Sequence, residues 1–467
     1  MDIQSIIKDL TGKEVLSLPD YTDIWLEWFK GDVAEFHHYE NYNGVKKVNS
    51  TRRTLNMAKK VAEDWANLLL NEKTDIAYGD EKQQQKLWDL LNSVNFWVKG
   101  NQGVELSFGL GNGAFVESFD KDNKPRLQFV NAKKSYPLTI DQDKITECAF
   151  VNSNTNSTII QIHIKGRIEE EKFVYDDKGN YHIRTVVYQK KNKTDDIGQL
   201  VSDEIFDTGS QMAWFQMVKP NIANNIDINS PLGISIFANA LDSLQGVDLA
   251  YDGFCEEMRL GKIRIFLDKK LTHYDEDGEH ILFDVNETGF YWTGNGEAND
   301  KKPFEAYTPQ LRTESYFTGI NNALNLLSGK CGFGENHYRF DQNGISTATQ
   351  VISQNSELFR TLKKHEILLN EVIIGVCKTL MYIHNNFTSD SFKFDLDENL
   401  EVKFDDSIIE DVETERARDR ADVNLGVMSE VEYRMKWFNE DEETARKKIE
   451  EIRAEKQAGY NNFFSEE

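Results

Sequence analysis

Residues 345–386 carry the pattern of one very long helix. The stretch has no proline and a single glycine. Its apolar side chains recur after three, four or seven residues, at Val351, Leu358, Leu362, Leu369, Val372, Val376, Leu380 and Ile383. This is the periodicity of an amphipathic helix, and about forty such residues would extend over roughly 60 Å. Because a helix in a compact domain usually has three or four turns, we expect this one to be a spine on which several layers of structure pack.

The remaining periodicities predict an α+β fold. Helical spacing of apolar residues indicates helices over 51–71, 81–97, 234–260, 312–330 and 408–425, and capping boxes indicate two more that begin at Ser429 and Asn439. Alternating patterns indicate strands over 104–210, 263–310 and 392–405, separated by turn clusters. The polar run 190–205 is expected to be a mobile hairpin or loop.

Charge and composition exclude several classes of protein. The chain has 467 residues and a formal net charge of −25, whereas a protein that grips a nucleic-acid duplex is usually basic. It therefore either avoids nucleic acid or handles it without holding it tightly. The N-terminus has no basic segment followed by an apolar core, and no apolar run approaches about 18 residues, so we expect no signal peptide and no membrane span. The four widely separated cysteines are expected to be buried free thiols.

No local motif predicts a catalytic, metal or cofactor site. The glycines of 109–113 lack the lysine and the spacing of a phosphate-binding loop, so we expect a turn before a strand. The nine histidines form no metal-binding pair, and no nucleophile signature is present. Two alternatives remain open. One is an intracellular enzyme that acts on a carbohydrate or nucleotide through a pocket in the 104–210 β-region, and the other is a monomeric adaptor that binds a partner helix through the long helix.

The helix predicted over 312–330 has two distinct faces. One face is apolar, and the other consists of short and mostly uncharged side chains, namely Glu314, Thr318, Asn321, Asn325 and Ser328. Such a stripe is either a solvated helix face or the lining of a channel. Its amides and hydroxyls offer nothing basic that would hold a phosphate backbone.

Six stretches between residues 50 and 390 together carry a family resemblance. They are LNMAKKVAEDWANLLLNEKTDI (55–76), GLGNGAFV (109–116), ITECAFV (145–151), VKPNIANNID (218–227), PLGISIFANALDSLQGVDLAYDGFCEEMRLGKIRIFL (231–267) and STATQVISQNSELFRTLKKHE (346–366). In this order they resemble the portal proteins of tailed bacteriophages, in particular those from phages and prophages of low-GC Gram-positive bacteria.

The resemblance implies an α+β portal fold with a β-rich wing, a stem, a β-rich clip and a crown. The implied segments are 1–233 for the N-terminal part of the wing, 234–262 and 311–331 for the stem helices, 263–310 for the clip, 332–345 for a tunnel loop, 346–405 for the spine helix and strands of the wing, and 406–467 for the crown and C-terminal tail.

The resemblance also implies a function without catalysis, cofactor or metal. Twelve copies would form a ring at one capsid vertex of the virion, after assembly in the host cytoplasm. Double-stranded DNA would pass through the ring during packaging and ejection without being read in sequence. The implied partners are the terminase large subunit, a head–tail adaptor, and the scaffolding and major capsid proteins, with no membrane.

Four groups of candidate residues follow from the resemblance. They are Lys330, Asn336, His337 and Arg339 as tunnel-loop groups that touch DNA, the polar stripe on 312–330 as channel lining, Asp248, Asp252 and Glu256 as an acidic stripe on the first stem helix, and Arg259, Lys262 and Arg264 as basic groups where stem meets clip. The basic groups would pair with acids of the next subunit or face DNA. An acidic tunnel would repel phosphates at short range, screened beyond roughly 8–10 Å. Deletion of 333–343 is expected to leave the ring intact but to impair packaging.

Overall fold

The computed structural model describes residues 3–16, 19–42, 45–169, 172–190, 197–268, 289–293, 304–339, 348–404, 412–438 and 440–463. The chain divides into two compact units. The first unit contains residues 1–342 and 360–404, and the second contains residues 343–359 and 405–467.

The first unit begins with helices that flank a hairpin. These elements are α1 (Ile3–Thr11), α2 (Pro19–Lys30), the short α3 (Ala34–His37), strands β1 (His38–Tyr42) and β2 (Lys47–Thr51), and α4 (Met57–Leu69). Gly31 ends α2 with a φ of +72°, a value that glycine adopts readily. Helix α4 begins six residues later than the sequence predicts. The reason is that Thr51 belongs to β2, Arg52 bonds to the backbone of His37, and residues 53–55 bond to a distant helix, described below.

Two helices precede the main sheets, where the sequence predicts one. After β3 (Asp75–Tyr78) come α5 (Glu81–Ser93) and α6 (Phe96–Leu110), so the prediction that strands start at 104 is wrong. Three glycines obscure the helical pattern of α6, because each marks a close approach of another side chain. Leu70 meets Gly100, Phe115 and Phe129 meet Gly103, and Phe29 meets Gly109. Gly111 (φ +83°) then ends α6 as a turn before a strand, as predicted.

The β-rich region confirms the period-two prediction. Its strands are β4 (Gly113–Phe119), β5 (Pro125–Asn131), β6 (Ser135–Asp141), β7 (Lys144–Ser153), β8 (Ser157–Glu169), β9 (Lys172–Tyr175), β10 (Asn180–Lys190), β11 (Ile197–Asp207) and β12 (Phe215–Val218). One sheet has the order β12-β4-β5, and the other has the order β11-β10-β8-β7-β6 with β9 paired to β8. Ile6 and Ile7 of α1 pack on the second sheet. In the run 190–205, Lys190 pairs with Ile197 and the following residues belong to β11, so the hairpin prediction is confirmed for this part, and 191–196 lie outside the described residues.

Two helices enclose a small sheet in the middle of the chain. They are α7 (Leu241–Leu260) and α8 (Thr313–Lys330), with β13 (Arg264–Asp268), β14 (Gly289–Thr293) and β15 (Phe304–Tyr307) between them. Strand β13 pairs parallel with β14 and antiparallel with β15. Helix α7 begins seven residues later than predicted. Ile234 and Phe237 have helical spacing, but they are buried because the chain before the helix is bonded to α6. The backbone of Ile236 bonds to Phe108 at the end of α6.

The long helix of the sequence pattern is present as α9 (Ala348–Phe387), with 40 residues. Within the first unit five of its six predicted apolar positions are buried, namely Leu362, Leu369, Val376, Leu380 and Ile383, and Val372 is half-buried. By length and composition alone, Ser356–Phe387 could cross a membrane. However, Ile383 packs against Trp214 and Ile183 of the same unit, as in a core helix. Strand β16 (Leu400–Lys403) pairs with β3, so the predicted strand pair within 392–405 is wrong.

The second unit contains three helices after the start of α9. They are α10 (Val412–Leu425), α11 (Glu430–Phe438) and α12 (Glu442–Phe463). The predicted capping box of α11 is confirmed, because Ser429 Oγ accepts from the backbone N–H of Glu432 and the Glu432 carboxylate accepts from that of Ser429. The predicted start of α12 at Asn439 is wrong. Asp441 is the cap instead and accepts from the backbone N–H of Thr444.

Candidate functional site

Helices α7 and α8 form an antiparallel pair that an ion pair closes at each end. At the end near the small sheet, Arg312 donates to Glu257 at 2.8 Å. At the other end, Lys330 donates to both carboxylate oxygens of Asp242, at 2.6 and 2.7 Å. The Lys330 ammonium lowers the pKa of Asp242. Lys330 is therefore engaged within its own chain, which disfavours its predicted role as a DNA contact.

The first member of the predicted acidic stripe is a buried anchor point. Asp248 is 3% exposed. Its Oδ1 accepts from the backbone N–H of Leu55 at 2.9 Å, and its Oδ2 accepts from the Thr54 hydroxyl at 2.9 Å. Its Oδ2 also lies 3.2 Å from Nε2 of His37. Because Nδ1 of His37 accepts from the backbone N–H of Val33, the ring proton of neutral His37 is on Nε2 and is donated to Asp248.

The other two members of the stripe are also bound within the chain. Asp252 accepts from the backbone N–H of Arg53 at 3.1 Å and from its guanidinium at 3.3 Å. Glu256 accepts from Arg259 at 2.6 Å and from Arg53 at 2.8 Å. These two guanidinium groups lower the pKa of Glu256 to about 2. Asp248, Asp252 and Glu256 thus lie along one face of α7 but bind residues 37 and 53–55 and Arg259, which disfavours their predicted role as an acidic stripe in the tunnel.

The basic groups at the end of α7 and just after it differ in their contacts within the chain. Arg259 pairs with Glu256 of its own helix, so its carboxylate partner need not come from a neighbouring subunit. Arg264 donates to the carbonyl of Leu260 at 3.4 Å, and Lys262 is exposed. A role for Lys262 and Arg264 in subunit or DNA contacts stays a prediction.

The polar stripe of α8 divides into an exposed half and a bonded half. Glu314 and Thr318 are exposed, and Asn321 is half-buried. Ser328 is fully buried, and its Oγ accepts from the backbone N–H of Tyr338 at 3.2 Å. The Asn325 side chain accepts from the backbone N–H of Asn336 at 2.5 Å. Ser328 therefore cannot line a channel, because it and Asn325 hold the segment that follows the helix.

That segment packs on α4 through aromatic side chains. The ring of Phe333 stacks on Trp65 at 4.6 Å and on His337 at 4.4 Å. The Tyr338 hydroxyl donates to Asp64 at 2.9 Å. Residues 332–339 of the predicted tunnel loop are thus fixed to the body of the first unit, and 340–345 lie outside the described residues. Deletion of 333–343 would remove Phe333, which is 2% exposed, so we no longer expect that deletion to leave assembly intact.

Asn336 and Arg339 lie at the described end of this segment. Asn336 has a φ of +64°, and its side-chain oxygen accepts from Arg339 at 3.3 Å. Asn336, His337 and Arg339 lie in the described part of the predicted tunnel loop. Their contact with DNA stays a prediction.

The described residues show no arrangement for catalysis. None of their His, Cys, Asp and Glu side chains form a group of three that could hold a metal ion. Burial lowers the pKa of His163 and His365 to about 3, and neither ring is accompanied by a carboxylate or a nucleophile bonded to it. A cleft of about 520 Å³ lies between β12 and α9, but Glu371 at its edge pairs with Lys144. All four cysteines are free thiols, and three of them are buried.

Sequence reasoning missed the partners of the predicted residues. The spacing of Asp248, Asp252 and Glu256 places them on one face of a helix. Their hydrogen-bond donors, however, lie about 200 residues earlier in the chain. The contact of Trp65 with Phe333 likewise joins distant segments. Nothing local in a single sequence identifies such pairs.

Comparison with known proteins defines the class of this molecule. The family model described as phage portal protein, SPP1 Gp6-like, matches residues 21–460, which is nearly the whole chain. A search among curated proteins gives no match. Three solved structures match most of the chain at low identity, and their titles are "Neck of native GTA particle computed with C12 symmetry" (TM-score 0.42, 11% identity, 92% of this chain and 97% of that chain covered), "Neck of empty GTA particle computed with C6 symmetry" (0.45, 12%, 93% and 98%) and "Virion of native gene transfer agent (GTA) particle" (0.40, 12%, 92% and 97%).

The molecule is thus a structural component of a phage-type particle. The chain belongs to the SPP1 Gp6-like family of phage portal proteins. The predicted α+β portal fold is confirmed by this membership. Because the family is structural and non-enzymatic, the prediction that the chain is not an enzyme is confirmed and the carbohydrate- or nucleotide-acting alternative is wrong.

Proposed function

We propose that twelve copies of this chain form a ring at one capsid vertex, through which double-stranded DNA passes during packaging and ejection. In this arrangement α7 and α8 are the stem, the sheet β13–β15 belongs to the clip, and α9 is the spine of the wing. Helices α10–α12 are the crown. The family match carries the proposal, because it spans all of these segments.

Exposed apolar side chains on the helix pair support assembly. The chain buries one side of α7 and α8 against itself and leaves large apolar groups exposed on the other sides, namely Leu249, Met258, Leu260, Phe317 and Leu326. Large apolar side chains exposed along two adjacent helices are candidates for burial in a protein–protein interface. When the contact is between two different surfaces of the same chain, repetition with a closing rotation produces a ring.

The exposed half of the α8 stripe is the best candidate for the channel surface. Glu314, Thr318 and Asn321 offer one carboxylate, one hydroxyl and one amide, and no cation. Such groups do not release counterions from a duplex and therefore do not hold it. The net charge of −25 per chain is consistent with a conduit that avoids gripping DNA.

The partners follow from the proposed position in the particle. The clip would bind the terminase large subunit during packaging and a head–tail adaptor afterwards, and the wing and crown would meet the scaffolding and major capsid proteins. Assembly would take place in the host cytoplasm, and the mature ring would remain in the virion.

Imaging of the purified chain by electron microscopy, with the mass measured by sedimentation, tests the ring directly. We expect particles with a central opening and a mass many times that of one 53.9 kDa chain. A single species of 53.9 kDa under conditions that permit assembly would exclude the proposal. The monomeric adaptor has no support at α9, because the apolar side of its first-unit part is buried in its own chain.

A further inference from the structure

The hairpin of β1 and β2 is an exposed arm. We use the word arm for residues 38–51, of which 43–44 lie outside the described residues. Its strands pair only with each other among the described parts of the chain. All ten strand residues are paired in register, from His38 with Thr51 to Tyr42 with Lys47, and eight of them are exposed. Tyr42 is 65% exposed, Val45 is 86% exposed and Val48 is 38% exposed.

The arm is held firmly at both of its ends. His37, directly before β1, donates to Asp248 of α7, and Thr54 and Leu55, shortly after β2, donate to the same carboxylate. Arg52 closes the base, where its guanidinium lies over the rings of Phe36 and Tyr39 at 4.5 and 4.7 Å. A buried carboxylate with donors from both sides of a hairpin fixes the direction in which the hairpin leaves the helix.

An isolated two-stranded hairpin is only marginally stable in water, and three strands or a packed face are usually needed. The arm has neither among the described residues of its own chain, yet it carries exposed apolar side chains and a rigid base. Such a surface is expected to be covered in the assembled state.

We propose that the arm docks on a second copy of this chain, and this inference rests on the ring proposed above. Charge favours a second copy as the occupant. The arm carries two lysines, Lys46 and Lys47, and one acid, Glu40, which pairs with Lys47 at 2.6 Å, whereas the whole chain carries a net charge of −25. The arm thus has a small positive charge, which attracts it to the acidic surface that every other copy presents. Because the arm and the surface that receives it are different parts of the chain, the contact is head-to-tail and compatible with a closed ring.

Substitutions on the arm test the proposal through the concentration needed for assembly. One variant combines Tyr42→Thr, Val45→Thr and Val48→Thr, which removes apolar area but keeps residues that favour strands. The other is Lys46→Glu, which reverses one charge and leaves the pair of Lys47 with Glu40 intact. We expect each to need about tenfold more protein than the native chain for half-assembly in sedimentation velocity, since a few aromatic and apolar anchors dominate most interfaces. The loss in the charge variant should shrink as salt is raised.

The edge strand β11 supplies a matched control. Leu200 and Val201 are 51% and 64% exposed, but β11 carries irregular register against β10, a feature that blunts an edge against pairing. The variant Leu200→Thr, Val201→Thr should assemble like the native chain, and thermal unfolding checks that every variant folds. The arm proposal is overturned if arm variants assemble at the native concentration, or if the β11 variant loses assembly as much as they do. In both cases the native chain would still form the ring. Failure of the native chain itself to assemble would instead count against the proposed function.

Discussion

Glu117 is a carboxyl group buried without a partner. It lies on β4, has no exposed surface, and neither of its side-chain oxygens has a hydrogen-bond partner among the described residues. Burial raises its pKa well above the usual value of 4.5. The folded chain therefore keeps the proton in a pH range where the unfolded chain releases it. The contribution of Glu117 to stability is complete below pH 4.5 and is lost as the pH rises towards the folded-state pKa.

Glu117→Gln should remove this part of the pH dependence. The amide has nearly the same shape and cannot ionise, so the variant should be more stable than the native chain at pH 8 and similar to it at pH 5. The slope of unfolding free energy against pH from one such group is at most about 1.4 kcal/mol per pH unit. Urea unfolding between pH 5 and pH 8.5 measures the difference.

Glu147 supplies the contrast, because it is buried but well bonded. It accepts from the ammonium of Lys13 and from the backbone N–H of Lys165. Glu147→Gln should lower stability at pH 7, since it leaves the cation of Lys13 without its counter-charge. If Glu117→Gln shows the same pH slope as the native chain, the buried carboxyl is not the group that titrates.

At the scale of elements, the sequence predicts helix bounds that depend on local spacing, but it does not predict contacts between distant segments. The bounds of α8 and α9 agree with the sequence prediction within three residues, because three- and four-residue spacing is a local property. The sequence predicts the start of α7 too early, because Ile234 and Phe237 have helical spacing but are buried in the loop and turn before the helix, where Ile236 bonds to Phe108 of α6. The candidate site was less predictable than the fold. The stripe from Glu314 to Ser328 was located correctly on one helix, yet only the contact with Tyr338 shows that Ser328 is covered.

The attachment of α7 to the segment 37–55 gives a prediction at this scale. Asp248→Ala would leave the backbone N–H of Leu55 and Nε2 of His37 buried without an acceptor. We expect a loss of about 3 kcal/mol or more in unfolding free energy, as for the removal of one partner from a buried charged network. Urea unfolding of the chain measures this loss.

Glu256→Ala is the matched control on the same helix and the same face. Glu256 is half-exposed, and water screens its pairs with Arg53 and Arg259. Its removal should cost less than about 1 kcal/mol. Equal losses for the two variants would show that Asp248 is no more than a surface charge.

At the scale of the whole molecule, the three acids of the predicted stripe on α7 are engaged within the chain. Asp248 and Asp252 are buried, and Glu256 pairs with two arginines. The surface that DNA would meet in the proposed ring is therefore the exposed half of the α8 stripe, which is nearly neutral. DNA would adhere weakly to this surface mainly because the surface carries no cations, and less because the surface repels the phosphates.

Thr318→Lys tests this surface, because each ring would then present one added ammonium per subunit where the native chain has an exposed hydroxyl. If Thr318 faces the channel, the lysines pair with phosphates and slow the duplex, so packaging in vitro should be several-fold slower at low salt and recover as salt rises. Thr318→Gln adds length without charge and should package at the native rate, and electron microscopy should show intact rings for both variants. Equal packaging rates for the lysine and glutamine variants across the salt range would mean that this stripe lies away from the DNA, and the channel surface would have to be sought on another face of the helix pair.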